Sequence, residues 1–585
     1  MHRHRSLSAL PALFALTAAA AGAQEPPRDS TRDSAHVASD IACEGRRIDD
    51  VEVRREPPRI IGRNAPKWRR TVLSALFQHR TTAPGVVSDL VHLQTGATCT
   101  AVGLAESERV LRAQPFLADA RVHAEPGTGG GTHLVVETVD EIPLILSGSL
   151  SGGGISSLRY GSANVRGTGQ LASLGWRQGN AFRDGIAARY EHYHLLNGPN
   201  TLGVVLDRAP IGGNAVVALA HPFLTPLQHV ALFSEYRLAD GYRNFLHADS
   251  LTRSLAVRRT QLAGGGVYRV ARAGGGALSG VFVGAVGTYE HVTVGDESVH
   301  IDGRGITPDP DPLIAARYHD FDRTRVAAVV GVSALSFMRV TGFDALEGTQ
   351  DVGRGAQLTL RAGPQGGTGL ETAYGGMDAY AGVGSPASFV GMRFNLEGEG
   401  RGFGSWGEVV TSGRLAWYHK PAERRTLIVS GEYSGAWNAR LPYQLTLADR
   451  RAGLSGFRKS DLAGARRLVG RGEHRWSFRR GSSAFAGLGA ALFAQVGKTW
   501  AGDVPYGATI NPRASAGVSL LGAIPRNSRR LLRADLAVPI AHDRGVRWIE
   551  LRFSTSAPFR GFWREPGDIA LARAAAPSSD VFTWP

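Results

Sequence analysis

Long hydrophobic runs are missing from this 585-residue chain. Beyond its first two dozen residues no stretch approaches the roughly 20 apolar residues of a spanning helix, which excludes a helical membrane bundle. Lysine is nearly absent. Lys67, Lys420, Lys459 and Lys498 are the whole set, so the formal net charge of +15 is an arginine excess. The arginines are scattered instead of gathered into one patch, and no nucleic-acid motif accompanies them; nucleic acid is not an expected partner. Arginines that line a polar interior or meet lipid phosphates account for the charge. Two cysteines are too few for a thiolate metal site or a disulfide-rich scaffold. What is abundant is glycine, at 75 residues.

The N-terminus has the layout of a secretory signal over residues 1–23. His2-Arg3-His4-Arg5 is basic, Leu7 to Ala20 is mostly apolar, and Ala21-Gly22-Ala23 precedes Gln24 as a small-residue cleavage site. Residues 24–40 are rich in Pro, Ser, Asp and Arg and read as a disordered leader. Residues 41–142 read as a small α/β unit. Val51 and Val53 alternate with charges as in a strand. Trp68, Val72, Leu73 and Leu76 recur at helical spacing, and Thr82 with Pro84 opens a second helix. Thr100 caps a third helix, and Asp119–Glu125 with Thr132–Asp140 form a hairpin. Cys43 and Cys99 both fall in this unit. In an oxidising compartment they predict one disulfide; the alternative is two unpaired thiols.

From Glu141 to Phe559 helical periodicity vanishes. Alternating segments of about ten residues recur between Gly-, Pro-, Asn- or Asp-rich turns, as at Phe182–His194, Val326–Met338 and Ala484–Trp500. At about 26 residues per strand and turn, roughly sixteen strands fit. The final two segments are clearest. Leu532, Ala534, Leu536, Val538 and Ile540 oppose Arg533 and Asp535, and Ile549, Leu551 and Phe553 oppose Glu550 and Arg552. A wall with one apolar and one charged face separates lipid from water. The fold class is therefore mainly β: an antiparallel transmembrane barrel over 143–559 behind one α/β domain, with a tail at 560–585. Soluble sandwiches also alternate, but less readily supply so many strands from one domain.

The sharpest local pattern is Leu454-Ser455-Gly456-Phe457-Arg458, a glycine-bearing turn. It is followed by Arg466–Phe478, which alternates Val469, Arg471, Glu473 and Arg475 against Leu468, Gly470, Gly472 and His474. This order resembles the BamA/TamA family of outer-membrane assembly factors, the bacterial surface antigens. Val352-Gly353-Arg354-Gly355 and Leu532–Ile540 are similar to further strands of that family. The order strand, helices, hairpin in 41–142 resembles its periplasmic POTRA module; a generic α/β tether is the alternative. The resemblance implies that the loop folds into the barrel, where its arginine meets an acid in a Phe-x-Asp wall pattern. Here Ser455 stands at the arginine position, and Gln495, two residues after Phe493, stands at the acid. Both members are neutral, which is physically coherent, since keeping only one would leave a confined charge unpaired. An inward loop is expected to use Ser455–Gln495 hydrogen bonding, Phe457 packing near Phe493, and Arg458 reaching Glu473 beside Arg475. The alternative is a loop lying outside.

The resemblance also implies a location in the bacterial outer membrane, with the POTRA-like domain in the periplasm. Expected partners are outer-membrane lipid and lipopolysaccharide, unfolded or nascent outer-membrane or secreted proteins, and periplasmic subunits. Clients would be inserted or translocated through a seam between a first strand near Leu144–Leu150 and a last strand, Trp548–Phe559. Gly148 would weaken the first strand. No cofactor and no covalent chemistry are expected. A transport pore with the domain as adaptor, and an outer-membrane hydrolase, are the alternatives. Phe559 fits a strand-closing aromatic, yet Arg560–Pro585 follow it; the closing signal is either internal or supplied by Thr583-Trp584. His192 and His194 share a strand face as polar lumen residues or a metal pair, and Asp309-Pro310-Asp311-Pro312 reads as a solvated loop or a calcium site. The glycine runs at 129–131 and 274–276 precede strands, so they read as hairpin turns rather than phosphate loops.

Overall fold

The computed structural model describes Cys43 and residues 45–58, 66–76 and 80–582, with breaks at 128–129, 152–153, 248–251, 274–277, 368–371, 401–405, 450–451, 458–462, 479–485, 541–548, 557–561 and 574–578. The signal and leader, Arg458, Trp548, Phe559, Thr583 and Trp584 lie outside the described residues, as do Gly129 and the 274–276 run.

The N-terminal unit runs β1 (Ile48–Glu56), α1 (Lys67–Leu76), α2 (Pro84–Leu90), α3 (Ala101–Arg112), β2 (Leu117–Pro126) and β3 (Thr132–Asp140). β3 is central, parallel to β1 and antiparallel to β2. Pro84 begins α2, where its missing N–H costs nothing. The Thr100 side chain accepts a hydrogen bond from the Gly103 N–H and caps α3. Val87, Leu111, Phe116, Leu117, Leu134 and Val136 form the core under this sheet. A disulfide joins Cys43 to Cys99 across 56 residues. Closing a loop of that length stabilises by about 4 kcal/mol on the chain-entropy estimate. Replacing both cysteines by serine is expected to move proteolytic cutting of this domain to lower denaturant, with barrel resistance kept. An unchanged midpoint would contradict the estimate.

The remaining wall is one antiparallel sheet closed into a barrel. Its first six strands are short: β4 (Leu144–Ser151), β5 (Gly154–Ser162), β6 (Gln170–Arg177), β7 (Gly185–Leu195), β8 (Asn200–Arg208) and β9 (Gly213–His221). Five tall strands follow: β10 (Val230–Leu246), β11 (Thr252–Ala273), β12 (Leu278–Ile301), β13 (Phe321–Thr341) and β14 (Thr349–Gly367). Then come β15 (Thr372–Gly384), β16 (Ser388–Gly400), β17 (Trp406–Ala422), β18 (Arg425–Trp437), β19 (Arg466–Phe478) and β20 (Gly487–Trp500). β21 (Arg513–Ala523), β22 (Leu531–Pro539) and β23 (Glu550–Ser556) complete the circuit. Twenty wall strands are thus described, besides the three-residue strand Ile306–Pro308 that pairs with the end of β12, where uniform spacing suggested sixteen. The difference lies in β4–β9, which fit six strands into residues 144–221 because tight turns join them. Wall height varies with strand length, from 24 residues in β12 to 8 in β4 and 7 in β23. β4 and β23 are the strands that meet to close the sheet.

Alternation sends apolar side chains outward. Leu146, Leu174, Val330, Leu360, Leu492 and Leu520 are exposed around the wall, and Phe553 on β23 is 75% exposed. A belt of this extent cannot face water, and it is the outer surface of a barrel made for a bilayer. Inward positions carry the arginines: Arg259, Arg323, Arg361, Arg471, Arg475 and Arg533 are held in ion pairs.

The N-terminal unit sits on one rim of the barrel, and α3 makes the seat. Arg112 pairs with Asp351 at 2.6 Å, Arg109 donates to the Leu224 carbonyl and lies over the Phe337 ring, and Arg339 pairs with Glu108. The turn between β21 and β22 holds the junction from the other side. Ser528 donates to Glu141 at 2.7 Å, and Arg529 donates to the carbonyls of Gln114 and Leu117. Thr82 donates twice to Asp140, and Asn164 of the β5–β6 turn donates to Thr82.

Candidate functional site

Three features converge on the inside of the barrel and its closing edge. The first is the loop between β18 and β19, which folds inward from the rim opposite the N-terminal unit. Leu454 and Ser455 are buried. The Ser455 backbone N–H donates to Gln495 Oε1 at 3.1 Å, and Ser515 Oγ donates to the same oxygen. The Gly456 N–H donates to Glu550 on β23 at 2.5 Å. Gly456 has φ +90°, and a Cβ there would come within 3.0 Å of Pro539. That left-handed, crowded position needs glycine. The motif therefore braces β20, β21, β22 and β23 from within. Phe457 does not pack near Phe493; it joins Leu447, Ala448, Leu454 and Val469. The Phe493 face is instead covered by the guanidiniums of Arg471 and Arg533. Glu473 is met by Arg475, by Arg533 at 2.8 Å and by Arg471 at 3.4 Å, so the wall alone neutralises it. An arginine from the loop is not required there.

The second feature is the closing edge. β4 contains Leu144 and Leu150, and β23 is described over Glu550–Ser556. Gly148 sits where a Cβ would meet the Ser157 carbonyl at 2.8 Å, so the strand crosses its neighbour closely at a residue with no side chain to pack. The ladder between β11 and β12 runs from Arg253–His300 to Ala273–Ser279. β23 offers seven described residues.

The third feature was missed from the sequence. The segment after β23 turns back into the barrel. Phe562 lies beside Tyr380 and Phe389, Asp568 pairs with Arg467 at 2.6 Å, and Ile569 is fully buried under Tyr443 and Leu445 of the folded-in loop. Trp563, Ile569, Val581 and Phe582 are the signal that pointed to burial, for they punctuate an otherwise small and charged tail.

Other candidate residues have plain partners. His194 Nε2 contacts the Thr168 carbonyl at 2.8 Å, its Nδ1 faces Asp89 at 3.7 Å, and the His192 ring lies tilted beside it. Asp309 is paired with Arg253 and His300, and Tyr506 donates to Asp311 at 2.5 Å. That hydroxyl, followed by the Leu313 N–H, lowers the Asp311 carboxyl below its usual range. In the N-terminal sheet, Asp50–Arg55 of β1 have no strand on their outer side among the described residues. Arg54 and then His133 hold the Glu52 carboxyl down at about 2, so Glu52 stays charged at any physiological pH.

The geometry defines a class: a closed antiparallel barrel for a bilayer, with an occupied interior and an α/β domain seated on one rim. No protein-family model matches the chain, and no curated protein matches it. Among solved structures it is similar to BamA from Haemophilus ducreyi lacking POTRA domains 1–3, at 12% identity and TM-score 0.38, over 92% of this chain and 95% of that one. It is also similar to CdiB from Escherichia coli, at 10% identity and TM-score 0.43, over 87% and 76% of the two chains. CdiB from Acinetobacter baumannii aligns at 10% identity and TM-score 0.37, over 87% and 73%.

Proposed function

We propose that this chain is an outer-membrane protein-handling barrel that inserts or translocates client polypeptides without covalent chemistry. In this reading the rim carrying the N-terminal unit faces the periplasm, and that unit is POTRA-like. The outer edge of β1 captures an extended client segment by strand addition, which needs only unpaired backbone groups and tolerates many sequences. The client then reaches the membrane at the junction of β4 and β23. Outer-membrane lipid and lipopolysaccharide surround the apolar belt, and periplasmic subunits are expected at the N-terminal unit.

The observation that carries the reading is where the wall is lowest. Among the described residues the sheet closes between strands of 8 and 7 residues, while its far side rises to 24. A short ladder is the cheapest place to part a barrel, because each interstrand hydrogen bond contributes only about 1 kcal/mol net. A passive pore would need no such edge and would be poorly served by an interior filled with loop and tail.

Depleting the protein tests the reading. Protein handling predicts that particular outer-membrane or secreted proteins fall in abundance. Unchanged outer-membrane content, with steady single-channel conductance from the purified chain, contradicts it and favours a pore. Hydrolysis of lipid or peptide by the purified chain would favour an enzyme.

A further inference from the structure

The tail has no role in closing the wall, since β4 meets β23 without it. It nevertheless crosses the whole interior. Phe562 enters among Tyr380 and Phe389, near the rim that carries the N-terminal unit. The chain climbs to Asp568 and Ile569, under the loop folded in from the opposite rim. Val581 and Phe582 lie in the same apolar cluster as Tyr380 and Phe562, and there the Phe223 N–H donates to the Val581 carbonyl at 3.1 Å and the Phe582 ring meets Phe233 edge-on at 5.5 Å.

The wall's contacts are those of a peptide receptor. Arg393 donates to the Trp563 carbonyl at 3.2 Å. Arg259 donates to the carbonyls of Leu571 and Arg573 at 3.2 and 2.5 Å. Arg467 takes Asp568 through two nitrogens, at 2.6 and 3.2 Å, and Ser412 donates to Glu565. Arg573 is neutralised by Glu565 within the tail and by Glu397 on the wall at 3.5 Å. Backbone carbonyls and two carboxylates thus meet side chains projecting from four different strands. Guanidinium forks suit both kinds of acceptor. Among the described residues, tail and wall share hydrogen bonds, ion pairs and small apolar contacts, but no ladder, so the tail can leave with the barrel intact.

We infer that the lumen is a binding groove for an extended peptide read through its backbone carbonyls and two spaced carboxylates, that Phe562–Arg573 is its resident ligand, with Val581–Phe582 as a second anchor, and that the groove conducts when this ligand leaves. This goes beyond the proposed handling of clients and holds for a pore as well. It requires only that the barrel insert in a bilayer, which heat-modifiable gel mobility checks separately.

The test uses the full chain carrying Asp568→Arg and Arg573→Glu, which set like charges against Arg467 and against Glu397. In planar bilayers, inserted wild-type protein is expected to conduct little and the variant several-fold more. A synthetic peptide of residues 562–573 should close the variant, and the same peptide with Glu565 and Asp568 changed to lysine should not. Equal conductance of the two inserted proteins, or no effect of the native peptide, overturns the inference. A second measurement leaves every charge in place: Phe233→Cys with Phe582→Cys should form a disulfide rapidly in intact cells. Failure of that cross-link to form also overturns it.

Discussion

A disulfide across the closing edge is expected to abolish the activity reversibly. Ser147 and Ser149 of β4, and Ser554 of β23, have the parity opposite to outward Leu146 and Phe553. Cysteine at Ser554, combined in turn with cysteine at Ser147 and at Ser149, tests two registers of this junction. The physical case rests on length. The seven described residues of β23 offer about seven interstrand bonds, of order 7 kcal/mol net, against about 20 for the β11–β12 ladder. A covalent bond cancels that difference. Oxidation should therefore reproduce the depletion phenotype in full, and reductant should lift it; reducing the parent chain serves as control for the Cys43–Cys99 bridge. Normal client levels with the lock fully oxidised would show that the edge does not open.

The second large effect concerns Arg323, which is 2% exposed. Its guanidinium meets Glu290 at 2.6 Å, Glu408 at 2.7 Å and Glu399 at 3.4 Å. Glu290 is shared with Arg259, and Glu399 with Arg440 at 2.7 Å, so the cluster ties β11, β12, β13, β16 and β17 to the folded-in loop. Removing one member of such a buried set leaves uncompensated charge, at a cost of roughly 3–5 kcal/mol. Arg323→Met is expected to lose about that much in urea unfolding from liposomes. Adding Glu290→Gln and Glu408→Gln should recover part of the loss, because replacing partners together removes the unpaired charge. Stability within about 0.5 kcal/mol of wild type, the range of an ordinary surface substitution, would mean that water reaches and screens the cluster.

These features differ in how far the sequence exposed them. The alternation in β19, β20 and β22 is a local property, with Leu492 outward beside inward Phe493, so the two faces of the wall can be read without the fold. Strand number cannot be read so directly. β4–β9 are 8–11 residues long and joined by brief turns, and two of them with their turn look like one long segment. The Ser455–Gln495 contact spans 40 residues, and only a family pattern brings the two together on the page. The seat made by α3 was hidden for a related reason. Glu108, Arg109 and Arg112 have the spacing of a solvated helix face, while Leu224, Arg339 and Asp351, which bury them, lie more than 100 residues away. The tail was hidden by its composition. Ala, Pro and scattered charge give it no periodicity, and its burial comes from the barrel around it.

Photo-crosslinking in intact cells tests the central claim most directly. A photoreactive residue at Leu146 or at Phe553 faces outward beside the β4–β23 junction, and one at Leu360 faces outward on the tall wall. The account predicts adducts with newly made barrel or secreted polypeptides at the first two positions and none at Leu360. Polypeptide adducts absent from both junction positions, or equally strong at Leu360, would contradict it.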